Sequence, residues 1–115
     1  MTTSPMRIES DGWAATFSDL SSKGLTWFDF LAVIDRGSQT EVVARVVNSQ
    51  TNESACYSTM IDGSVESIST IYPGATWYER EAQEMFGVKF IGLADSRPLL
   101  YREVPTPSPM RKAVQ

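Results

Sequence analysis

Three glutamates, Glu79, Glu81 and Glu84, crowd around Arg80 in the stretch Trp77-Tyr78-Glu79-Arg80-Glu81-Ala82-Gln83-Glu84-Met85-Phe86-Gly87, and Asp95, Arg97 and Arg102 follow it. Carboxylates this close can do general acid–base work if one holds a proton while its neighbour is ionised. Glu81 and Glu84, three apart, share a face if the stretch is helical. The same acids, with Asp95, are hard oxygen ligands of the type a divalent cation takes. A third use is architectural: each carboxylate can pair with Arg80, Arg97 or Arg102, and the planar guanidinium orients such a pair better than a lysine would. The rest of the chain favours this third use. It has no His, one Cys and no Gly-rich phosphate loop. Iron–sulfur clusters need several thiolates or imidazoles, and a structural zinc site needs four Cys or His ligands. No catalytic residue, cofactor or metal site is therefore expected on this chain. Self-contained carboxylate chemistry at Glu81 and Glu84 lacks a plausible pocket, a nucleophile and a substrate clue.

The elements around this stretch follow from periodicity. Thr76 and Glu79 have capping-box spacing, so the sequence predicts a helix over 77–86, with Glu79 and Glu81 near its positive end and Gly87 closing it. Trp13, Phe17 and Leu20 recur at four and three, which predicts an earlier helix over 12–22, capped by Asp11 and stopped near Gly24. Residues 25–34 are rich in aromatic and β-branched types and read as a strand, with Phe28, Phe30, Ala32 and Ile34 on one face. Residues 41–47 read as a second strand, with Val42, Ala44 and Val46 facing one way and Val43, Arg45 and Val47 the other. Residues 55–61 read as a third, with Tyr57 and Ile61 opposite Cys56 and Met60. The short polar turns at 35–40 and 50–53 imply two antiparallel hairpins. Val65, Ile68, Ile71 and Tyr72 suggest a short helix starting at Ser64 or Ser67, broken by Pro73-Gly74. Val88–Ile91 reads as a short strand or rim. Prolines 98, 105, 107 and 109 rule out regular structure beyond them.

The expected fold is therefore α+β: a small antiparallel sheet of three or four strands packed with two or three helices, followed by an extended Pro-rich C-terminal tail. Residues 1–10 read as a flexible N-terminus, 11–100 as one domain and 101–115 as a basic tail. Trp13, Phe17 and Trp27 are assigned to the core. Trp77, Tyr78, Met85 and Phe86 are assigned to core and interface together.

At 115 residues and 42% apolar composition the chain can build one core. Its net charge of -4 argues against broad attraction to nucleic acid or anionic lipid. The bases Arg97, Arg102, Arg111 and Lys112 gather at the end, so an acidic body carries a basic tail, which suits an acidic partner groove or stays solvated. The lone Cys56 fits a reducing compartment. No stretch approaches the roughly 20 apolar residues of a spanning helix, and the N-terminus lacks a signal-peptide core. A cytoplasmic protein is expected.

Trp77-Tyr78-Glu79-Arg80-Glu81-x-x-Glu84-Met85-Phe86-Gly87 resembles the signature of the 30 kDa subunit of respiratory complex I, known in bacterial NADH–quinone oxidoreductase as the C subunit. Related chains occur in membrane-bound nickel–iron hydrogenases. The resemblance extends upstream through Ile71-Tyr72-Pro73-Gly74-Ala75 and downstream through Phe90-x-Gly92, Asp95-x-Arg97 and Leu99-Leu100, with a weaker echo at Pro109-Met110-Arg111-Lys112. Leu93 stands where the family usually has His or Lys, and Pro98 where it often has a second Arg. A polar contact to the partner is thereby lost or moved. The chain is short beside the respiratory subunit, which favours a pared-down relative.

The resemblance implies a non-catalytic accessory subunit that binds no flavin or cluster and buttresses a large catalytic subunit. Iron–sulfur clusters and a quinone or nickel–iron centre would sit in that large subunit and in a small iron–sulfur subunit. The assembly would lie peripherally on the cytoplasmic face of the membrane, without direct insertion of this chain. The motif residues Trp77, Glu79, Arg80, Glu81, Glu84, Phe86, Asp95 and Arg97, with Arg102, Arg111 and Lys112, are the candidate contacts, and Glu81 and Glu84 are expected to brace Arg97 or Arg102. The alternative is a stand-alone binding module, with a homodimer through its sheet as one form.

Overall fold

The computed structural model describes residues 5–93. In chain order the elements are β1 (Met6–Arg7), a 3-10 turn (Ser10–Gly12), α1 (Trp13–Ser22), β2 (Trp27–Asp35), β3 (Thr40–Val47), β4 (Ser54–Ile61), β5 (Ser64–Glu66), α2 (Ala75–Phe86) and β6 (Lys89–Ile91). The α+β class, both hairpins and the two long helices agree with the periodicity. A four-stranded sheet runs in the order β1-β4-β3-β2, antiparallel in its two hairpins. β1 adds to it in parallel, pairing Met6 with Tyr57, inside the polar segment 1–10. The expected C-terminal tail lies outside the described residues.

One face of the sheet carries the core. Val42, Ala44 and Val46 are fully buried against Trp13, Phe17, Ile68 and Tyr72. Trp13 and Phe17 meet edge to face at 4.7 Å, a geometry aromatic quadrupoles favour. Tyr72 locks the segment entering β2 to α1. Its hydroxyl donates to the Leu25 carbonyl at 2.6 Å, with the Phe17 carbonyl at 3.3 Å.

Four expectations are corrected. Phe28 does not share a face with Phe30, Ala32 and Ile34, because the register shifts between Phe28 and Phe30. Asp29 is the extra residue of this bulge, which breaks strict alternation. Phe28 and Leu31 therefore lie opposite the core residues Val46 and Ala44, whereas Phe30 lies opposite Arg45 on the outer face. Arg45 donates to Asp29 there. Trp27 lies opposite Val47 and is 63% exposed, so it is not a core residue.

The segment expected as a helix from Ser64 or Ser67 is instead β5, parallel to β6, with Val65 opposite Phe90. Its apolar members still act together, since Val65, Ile68 and Tyr72 are buried. Pairing with a strand distant in sequence overrides the local pattern. Asp11 makes no side-chain cap; the N-cap position of α1 is Gly12. A carboxylate from elsewhere does that work: the Ala14 N–H donates to Glu66 of β5 at 3.2 Å.

Candidate functional site

The motif segment folds as α2 because Ala, Glu, Gln, Arg and Met dominate it and all favour helix. The helix begins after Pro73-Gly74 and ends at Gly87, whose positive φ of 74° lets its N–H reach the Gln83 carbonyl at 3.1 Å. This left-handed terminus suits a residue without Cβ. Ala75, Glu79 and Ala82, spaced four and three apart, form the buried stripe. Trp77 points away from it and is 55% exposed.

An acid within a core stripe needs partners, and Glu79 has them. It is fully buried. Its carboxylate accepts the Ser67 hydroxyl at 2.6 Å and the Ile68 N–H at 2.8 Å. Burial pushes the carboxyl above its ordinary value, while the bonds from Ser67 and Ile68 pull the other way. Glu79 is thus a clamp between α2 and the segment leaving β5. The expected capping box with Thr76 does not form: the N-cap is Gly74, with no side-chain bond.

Glu81 and Glu84 are not equivalent. Glu84 is 1% exposed, whereas Glu81 faces solvent. Arg80 and Phe86 are half-buried, and Phe86 packs on the core. Gln83 accepts the Phe90 N–H at 3.0 Å, fixing β6 against the helix. Asp95, Arg97, Arg102, Arg111 and Lys112 lie outside the described residues, and with them the expected brace to Glu81 and Glu84.

Sequence reasoning missed a groove of about 480 Å³ between α2 and β2. Leu31, Ala32 and Val33 form one wall, and Tyr78, Ala82 and Met85 the other, with Glu81 and Phe86 completing the lining. The alternation of 25–34 identified the strand. Nothing local announced which helix would lie beside it.

Elsewhere, Glu41 is buried on the outer face of β3 and accepts from Arg36 at 2.7 Å, with Arg7 at 3.7 Å. Its hydrogen bond to Arg36 holds the carboxyl below its ordinary value, opposed by burial. Burial pushes the Cys56 thiol up, with Arg45 pulling it down. A raised thiol is protonated at neutral pH and is a poor nucleophile. Among the described residues, no group of three or more His, Cys, Asp or Glu is placed to hold a metal ion. No described helix is long and apolar enough to cross a membrane.

Two solved structures share the fold. A trypsin-resistant fragment (1–134) of Nqo5 superposes with a TM-score of 0.65 at 15% identity, covering 77% of this chain and 79% of that one. A chain of the membrane-bound sulfane sulfur reductase, an archaeal respiratory membrane complex, superposes with a TM-score of 0.73 at 19% identity, covering 94% and 68%. In sequence, the C subunit of NADH-quinone oxidoreductase from Jannaschia sp. (strain CCS1) is 54% identical over 39 residues, 34% of this chain and 19% of that protein. The C/D subunit of the same enzyme from Rhodopseudomonas palustris (strain BisB18) is 49% identical over 51 residues, 44% of this chain and 9% of that protein. These matches span less than a fifth of either relative. The family profile described as respiratory-chain NADH dehydrogenase, 30 Kd subunit, matches residues 6–115, so nearly the whole chain is accounted for, and the protein belongs to that family.

Proposed function

We propose that this chain is an accessory subunit that docks on and stabilises the large subunit of a complex I-like NADH–quinone oxidoreductase or a membrane-bound hydrogenase. In this reading it carries no redox centre. Iron–sulfur clusters and the quinone or nickel–iron site belong to the large subunit and a neighbouring small iron–sulfur subunit. The assembly lies on the cytoplasmic face of the membrane, and this chain attaches to it peripherally. The docking body includes β1, which pairs with β4 in the main sheet, and the basic residues Arg102, Arg111 and Lys112 of the segment 101–115 pair with acids of the partner.

The observation that carries the reading is the division of labour along α2. Glu79 and Ala82 face inward and hold the domain together, while Trp77, on the same helix, is 55% exposed. Tryptophan is enriched among the few residues that dominate association energies. The family relationship supports a partner of respiratory type. Co-expression of the full chain with the large subunit of the same organism tests this. The tagged chain should bring the large subunit down in equal amount. Purification of the chain alone, or substrate turnover by the isolated chain, would overturn the proposal.

A further inference from the structure

β2 stands at the end of the sheet order, so from Trp27 to Asp35 it is paired on one side only among the described residues. Such an edge presents free N–H and C=O groups, a template for one more strand. The groove beside it takes Leu31, Ala32 and Val33 in succession. Successive strand side chains point to opposite faces, so one groove can touch all three only by running along the strand's edge, backbone included. Its far wall is apolar, built by Tyr78, Ala82 and Met85. Among the described residues, the one charged group lining it is Glu81, which is exposed and has no ion pair with any of them.

We propose that this groove binds an extended peptide segment of a partner subunit, added as a strand to the free edge of β2. The segment seats an apolar side chain against Tyr78, Ala82 and Met85 and sets a lysine or arginine opposite Glu81. Main-chain bonds to β2 supply attachment, and the groove's alternation of one acid with apolar surface supplies selectivity. The proposal deepens the accessory-subunit reading, on which it rests for the source of the segment.

The binding mode is testable without the partner. The probe is a short end-blocked peptide of alternating valine and threonine with one central lysine, titrated into the isotope-labelled full chain. A twin peptide carries glutamate at the central position. The lysine peptide should shift the amides of residues 31–33 and 78–86 and bind about fivefold tighter than its twin. The Glu81→Lys variant should reverse that preference. Absence of shifts at those amides, shifts elsewhere, or an unchanged preference in Glu81→Lys would overturn the proposal. So would protection of the β2 edge amides from hydrogen exchange in the free chain, which would give the groove to residues 94–115 or to a second copy. Failure of the accessory-subunit reading shows separately, as loss of the large subunit in co-purification.

Discussion

The carboxylate of Glu79 accepts the backbone N–H of Ile68 at 2.8 Å, across eleven residues of chain, inside a site with no solvent exposure. This contact joins the motif helix to the segment that follows β5, and the Ser67 hydroxyl completes it at 2.6 Å. Removing the carboxylate strands the buried Ile68 N–H, whereas the Ser67 hydroxyl still has Ser69 Oγ at 2.7 Å. Glu79→Ala should lower unfolding free energy by about 1–3 kcal/mol for that stranded donor, read by urea denaturation. Glu79→Gln retains one acceptor and should lose less.

The same burial makes stability depend on pH. The folded-state value of Glu79 is raised, so the fold binds the proton more tightly than the unfolded chain does. Its contribution is fully present below the unfolded carboxylate value and is lost as pH rises through the raised folded value. Wild type should therefore fall relative to Glu79→Gln across that window, measured by denaturation at successive pH values.

Glu41 should behave in the opposite sense. Its folded value is lowered, chiefly by the hydrogen bond from Arg36. Its contribution is present above the unfolded value and is lost as pH falls through the lowered folded one. Glu41→Gln should cost stability at neutral pH and progressively less in acid, by the same assay.

Tyr72→Phe should cost about 0.5–1.5 kcal/mol. It removes the donor to the Leu25 carbonyl and keeps the ring against Phe17 and Phe28. Calorimetry of the variant checks the value.

Strand alternation made β3 and β4 legible, since Val42, Ala44 and Val46 face the core as their spacing requires. It failed at Phe28, because a single bulge residue reverses the facing of everything on one side of it. The helix of the motif was legible from residues 77–86 alone, yet the role of Glu79 was not. Capping-box spacing with Thr76 is a local signal, whereas the partners Ser67 and Ile68 arrive through the pairing of β5 with β6. Trp27 read as core from its type alone, although its register opposite Val47 places it outside. The groove between α2 and β2 depends on which helix lies beside the sheet edge, a fact of packing that no window of sequence contains.

If the outer face of α2 grips a larger partner, Trp77 is the side chain whose loss should loosen that grip. Because Trp77 is 55% exposed, Trp77→Ala should leave folding stability within about 0.5 kcal/mol of wild type. Affinity for the large subunit, measured by titration calorimetry, should fall at least about thirtyfold, as loss of a dominant contact requires. A folded Trp77→Ala variant that binds the large subunit as tightly as wild type would show that this face of α2 is not the grip.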